Sequence, residues 1–128
     1  MLGNHMRKFS TLLSPQYLNS IDHEDPYKIL SKKFATNYKA AVNTLINRDG
    51  YRIENFNTGY CYVSGFITDG DKYVYFSTSD FRFFPDDWKN NVLIRSAKHN
   101  RDYTGGPNQY TTLEDIHNKA RQILERGA

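Results

Sequence analysis

Two hydrophobic periods follow one another in this chain, and the switch between them sets the fold class. Tyr27, Leu30, Phe34, Tyr38, Ala41 and Leu45 recur at three- and four-residue steps, and Ile29, Val42 and Ile46 widen the stripe. That spacing predicts one amphipathic helix of about twenty residues. Asp25-Pro26 supplies an N-cap acceptor followed by proline at the first helical position, and Asp49-Gly50 ends the run. From residue 51 the period becomes two. Residues 51–56 alternate, Asn57-Thr58-Gly59 reads as a turn, residues 60–67 form a longer strand, Asp69-Gly70 turns again, and residues 72–78 make a third strand. Turn residues between alternating aromatic and β-branched runs predict an antiparallel meander.

In the middle strand Tyr60, Tyr62 and Phe66 share one face, and Cys61, Val63 and Ile67 share the other. Gly65 within this strand points to a bulge or a close helix crossing. In residues 80–91, Phe81, Phe83, Phe84 and Trp88 are interrupted by Pro85, with Asp86 placed to cap a short turn. Residues 92–97 read as a fourth strand and residues 98–110 as a loop rich in Gly, Asn and Pro. Thr111-Thr112-Leu113-Glu114 has the form of a capping box, and Leu113, Ile116, Ala120, Ile123 and Leu124 give a final amphipathic helix. The expectation is an α+β fold, an antiparallel three- to four-stranded meander with an N-terminal and a C-terminal helix packed on one face.

A chain of 128 residues suits one domain. Residues 25–128 are expected to form it, with residues 1–24 a poorly structured N-terminal segment. Residues 1–5 read as vector-derived, with Met6 the natural start. Aromatic content of 15%, with ten Tyr and eight Phe, compensates in the core for few aliphatics. Net charge is only +3, below what a dedicated duplex-DNA binder usually carries. The charges nevertheless cluster. Residues 28–52 hold six basic side chains against Asp49, residues 69–87 are mainly acidic, and residues 89–101 hold four basic side chains and no acid.

Several function classes find no support in the sequence. His5, His23, His99 and His117 are scattered without metal-ligand spacing, so no metal and no cofactor is expected. Cys61 stands alone, within a strand, which excludes an internal disulfide and suits an inert buried thiol. The serines lack a strand-to-helix elbow, and Gly105-Gly106 is not followed by the Lys-Ser/Thr of a phosphate-binding loop. Asp80, Asp86 and Asp87 read as exposed loop acids or helix caps. No run is apolar enough to span a membrane and no signal core is present, so the expectation is a cytoplasmic protein without a membrane partner. The order helix, three strands, helix is shared with the double-stranded-RNA-binding domain. That module needs cations where the last helix here begins with Glu114 and Asp115.

What remains is the segment from Arg95 to Gly106. Arg95 lies on the fourth strand, Lys98, His99 and Arg101 follow in the loop, and Tyr103 and two glycines close it. Cationic donors beside easily bent backbone suit an anion, and an adjacent aromatic ring suits a base. The competing reading is a polar hairpin loop in which Arg101 pairs with Asp102 or another acid. With Trp88 as a second stacking ring, the candidate binding residues are Arg95, Lys98, His99, Arg101, Tyr103 and Trp88; no catalytic residue is assigned.

Trp88-Lys89-Asn90-Asn91-Val92-Leu93-Ile94-Arg95, followed by Asp102-Tyr103-Thr104-Gly105-Gly106-Pro107-Asn108, resembles segments of small accessory proteins of bacterial phages and conjugative elements. The resemblance covers the C-terminal third. It implies an accessory role in a mobile element, acting by binding, with an anti-defence role among the possibilities. The leading expectation is a non-enzymatic protein that binds nucleic acid or a host nucleoprotein. An aromatic protein–protein module is the alternative. A small phosphoester- or nucleotide-acting enzyme with His99 as general base is the second alternative.

Overall fold

Tyr38, Ala41, Val42, Leu45 and Ile46 are all buried, and they lie on one side of a helix spanning Lys32–Ile46 (α1). The structure is a computed structural model. It describes residues 32–58, 62–79 and 92–126, of which residues 32–34, 37 and 79 are described by backbone alone. The predicted N-terminal segment, the Asp25-Pro26 helix start and the segment of residues 80–91 with Trp88 lie outside the described residues.

The helix ends as the sequence requires. A 3-10 turn, Asn47–Asp49, tightens its last carbonyls, and Gly50 adopts φ 79°, a left-handed conformation that glycine takes without steric cost. The amides of Gly50 and Tyr51 then donate to Asn47 O and Ile46 O, at 3.1 and 3.2 Å. The chain leaves directly into the sheet.

Five antiparallel strands follow in the order in which they occur in the chain: β1 (Arg52–Thr58), β2 (Tyr62–Thr68), β3 (Tyr73–Ser79), β4 (Val92–Ala97) and β5 (Gln109–Thr111). The meander is as expected, with one strand more. The link between β2 and β3 is closed by the Asp69 carboxylate, which accepts the amides of Asp71 and Lys72 at 2.9 and 2.8 Å. In the sequence β5 reads as loop, because Gln109-Tyr110-Thr111 carries no apolar alternation. Its place comes from pairing with β4, Ile94 opposite Gln109 and Val92 opposite Thr111.

Period two then sorts the side chains. Val63, Ile67, Val74, Phe76, Val92 and Ile94 point to one face and form a single core with both helices. α2 (Ile116–Arg126) contributes Ile116, Ala120, Ile123 and Leu124 and packs over β3 and β4, while α1 packs over β1 and touches α2. Both helices therefore lie on one face of the sheet. Each large side chain taken from water into this layer contributes roughly 1.5–3 kcal/mol.

Gly65 has a different role from either one expected. A Cβ there would stand 3.2 Å from the Phe76 ring and 3.3 Å from the Phe56 ring. The absent side chain makes room for an aromatic row in which Phe76 lies 6.4 Å from both Tyr38 and Phe56. The Tyr38 hydroxyl, fully buried, hydrogen-bonds the Thr78 hydroxyl. The bulge is in β1 instead, between Glu54 and Asn57, where Asn55 has φ 50°.

The second helix starts at Ile116, several residues later than the capping box predicts, after a turn closed by Thr112. The Thr112 hydroxyl, not that of Thr111, accepts the Asp115 amide at 3.1 Å.

Candidate functional site

The sheet face opposite the helices carries Glu54, Phe66, Tyr75 and Arg95 in one cross-strand row, since Glu54 pairs with Phe66, Phe66 with Tyr75, and Tyr75 with Arg95. A row of this kind on an outward face is ordinarily wet. Here Phe66 is completely buried and Tyr75 nearly so. The cover is the loop between β4 and β5, which turns back over the sheet and lays the Tyr103 ring against Phe66 and Tyr75, at 5.4 and 5.7 Å between centroids, both edge to face.

Arg95 holds that loop down. Its guanidinium carbon sits 4.8 Å from the centre of the Tyr75 ring. Nη1 donates to Asn108 Oδ1 at 2.8 Å, and Nη2 donates to the Tyr103 carbonyl. The side chain expected to grip an external anion is thus committed within the molecule. Its Nε is buried without a partner.

From the far edge, the β1 bulge reaches the same loop. Asn55 Nδ2 donates to Asn100 O at 2.9 Å and to the Tyr103 hydroxyl at 3.2 Å, and Asn57 Nδ2 braces Asn55 through its carbonyl at 3.0 Å. Asn100 Nδ2 in turn donates to Glu54 Oε1 at 2.9 Å. Arg52 takes the other oxygen of Glu54 at 2.7 Å. The Asn100 bond, helped by Arg52, holds the Glu54 carboxyl below its usual value against the opposing effect of desolvation.

Within the loop Asp102 is the organiser. Oδ2 accepts the Lys98 amide at 2.9 Å, and Oδ1 accepts the Thr104 amide at 3.2 Å. These bonds, the Lys98 amide first, hold the Asp102 carboxyl below its ordinary value. The Asp102 amide donates to His99 O at 3.2 Å, which closes a turn over residues 99–102. His99 Nδ1 accepts the Arg101 amide at 3.2 Å. The expected Arg101–Asp102 pair does not form. Asp102 serves backbone donors instead.

The consequence is electrostatic. Lys98 and Arg101 are exposed, and among the described residues neither side chain has a hydrogen-bond or ion-pair partner. A cleft of about 510 Å³ opens beside Lys98, lined by residues 96–98, Asp102 and residues 104–106. It carries one charge of each sign.

The glycine pair is explained by packing. A Cβ on Gly105 would run into the Ser96 carbonyl and stand 3.2 Å from Ala97 Cα, and one on Gly106 would run into the Ser96 hydroxyl. The loop passes too close to β4 for any side chain, and the Gly106 amide donates to Ser96 O at 3.0 Å. No protein-family model, curated protein or solved structure matches this chain. The site is therefore read on its own chemistry.

Of the six candidate binding residues, Lys98, His99, Arg101 and Tyr103 come together on one turn. Arg95 lies beneath them as their anchor, and Trp88 is outside the described residues. Asn55, Asn100 and Asn108, which fix the loop, carried no signal. Asp102 with Thr104 two residues later is an Asx-turn pattern that did carry one. Among the described residues no group of three or more His, Cys, Asp or Glu side chains is placed to hold a metal ion. No helix among them is long and apolar enough to cross a membrane.

Proposed function

We propose that this chain is a non-enzymatic accessory protein that binds nucleic acid through the turn carrying Lys98, His99, Arg101 and Tyr103. One observation supports the reading above others. Asp102 and Glu54, the acids beside the turn, are occupied by backbone amides, Asn100 and Arg52, while among the described residues the two cations have no partner. Two cations three residues apart in sequence, flanking this turn, suit one or two neighbouring phosphates. Binding is accordingly weak and salt-sensitive. The resemblance of residues 88–95 and 102–108 to phage and conjugative-element proteins adds the setting, a mobile element acting on host nucleic acid or nucleoprotein. Gel shifts at low salt with single- and double-stranded nucleic acid test the assignment. The Lys98→Ala/Arg101→Ala variant loses the shift, whereas equal affinity of variant and parent removes the assignment.

A protein-docking reading is favoured by a separate observation, the exposure of Tyr62, Tyr103 and Tyr110 at 45%, 45% and 57%. Aromatic anchors of this kind are common at interfaces. A partner complex that survives nuclease treatment supports that reading. The enzyme reading has less behind it. His99 Nδ1 is engaged by a backbone amide, and among the described residues no carboxylate or hydroxyl is hydrogen-bonded to its ring.

A further inference from the structure

Duplex and single-stranded nucleic acids ask different things of a protein surface. A duplex hides its base faces and presents phosphates along both strands, and tight binding neutralises several of them. A single strand offers exposed base faces, and one aromatic ring beside one or two cations already forms a contact.

The outer face of this sheet matches the second demand. At one turn stand Lys98 and Arg101, cations with no partner among the described residues, and two residues beyond Arg101 stands Tyr103. Tyr103 is 45% exposed, which is large for a residue held by Phe66, Tyr75, Asn55 and Arg95. Its edge-to-face contacts with Phe66 and Tyr75, the Asn55 bond to its hydroxyl and the Arg95 bond to its carbonyl set its direction before any ligand arrives. A pre-set ring loses little freedom on binding. Among the described residues Arg52 pairs with Glu54 and Asp102 serves backbone amides, so Lys98 and Arg101 keep their positive charge beside the exposed Tyr103. The footprint is small, one turn wide, which is too short to collect the phosphates a duplex-binding surface needs.

We infer that the occupant of this turn is single-stranded nucleic acid, with an unpaired base stacked on Tyr103 and the flanking phosphates on Lys98 and Arg101. The inference rests on the nucleic-acid reading above and narrows it to strands with unpaired bases. Lys98 and Arg101 contact only the backbone, so the site does not read sequence. The exposed Tyr110 lies on the same sheet face, opposite Leu93, and is available to a longer strand.

Fluorescence anisotropy at low salt tests this on the full chain. The probes are a labelled eight-nucleotide DNA strand, the matching RNA strand, a hairpin duplex, and an abasic phosphodiester strand of equal length and charge. The single strands are expected to bind at least about fivefold more tightly than the abasic strand, the weakest effect expected of one base–aromatic stack. Tyr103→Leu is expected to abolish that difference and Tyr103→Phe to keep it. The abasic comparison needs no variant, so a fold defect in Tyr103→Leu does not blunt the test. Equal affinity for intact and abasic strands, or tighter binding of the duplex, overturns the single-strand inference while leaving the nucleic-acid reading in place. Failure of all four probes to bind overturns both. The ratio of DNA to RNA affinity assigns the source of the strand.

Discussion

Arg95 and Tyr75 face each other across β4 and β3, the guanidinium carbon 4.8 Å above the ring, and the same guanidinium donates to the Tyr103 carbonyl. Ring, cation and loop form a closed unit, since Tyr103 also packs on Tyr75. A residue that reads as a binding group in the sequence is thereby the fastening of the loop between β4 and β5.

Removing the fastening has a predictable cost. Arg95→Ala loses the ring contact and two hydrogen bonds, partly offset by relief of the buried, unpartnered Nε, and is expected to destabilise by about 1–2 kcal/mol. Arg95→Lys does not restore it, because an ammonium cannot span Tyr103 O and Asn108 together while covering the ring. Urea denaturation gives the magnitude. Hydrogen exchange gives the location, with protection lost at the amides of residues 98–106.

Much of this architecture is legible in the sequence, because burial imposes a period. The α1 stripe Tyr38, Ala41, Val42, Leu45 is buried as its spacing requires, and Val63 and Ile67 face the helices while Phe66 faces away. β5 was not legible, since Gln109 to Thr111 pairs through backbone and carries no apolar alternation. Nor was the role of Arg95. Its partners Tyr75, Tyr103 and Asn108 become neighbours only once the β3–β4 register and the return of the loop are fixed. A sequence shows that Lys98, Arg101 and Asp102 are near one another. Which of them pair is decided by backbone geometry, here an Asx turn that takes the carboxylate away from the cations.

Asp102 makes the loop sensitive to acid. Its folded-state pKa lies below the ordinary value of about 3.9, so the unfolded chain takes up the proton first. The stabilisation is therefore present above about pH 4 and is lost as pH falls through the folded value. Protection of the Lys98 amide, followed by NMR, is expected to fall in that acid window. In Asp102→Asn the pH dependence of this amide flattens. An unchanged profile contradicts the role of Asp102.

Close passage of the loop over β4 gives a steric prediction. Gly105→Ala places a methyl against backbone, the Ser96 carbonyl, and is expected to cost about 1–3 kcal/mol. Gly106→Ala meets only the Ser96 side-chain hydroxyl, so Ser96→Ala is expected to recover part of its cost. A double-mutant cycle on thermal unfolding measures the coupling. Additive effects of Gly106→Ala and Ser96→Ala count against the close approach.

His117, half-buried on α2, is expected to titrate below the usual histidine range of about 6.5, because burial disfavours its charged form. Asp115 and Asp49 oppose that shift, while Arg48 and Arg121 reinforce it. A lowered folded-state pKa means that the unfolded chain binds the proton first, so the contribution is full above about pH 6.5 and declines below it. Imidazole NMR titration checks the direction, and His117→Gln is expected to flatten the pH dependence of stability below about pH 6.5.

The central claim is that Lys98 and Arg101 are free to neutralise phosphates. Its most direct measurement is the salt dependence of single-strand binding by the parent chain and by Lys98→Ala/Arg101→Ala. Two lost phosphate contacts reduce the slope of log K against log salt by about 1.4, along with weaker binding at every salt concentration. An unchanged slope and affinity would contradict the account.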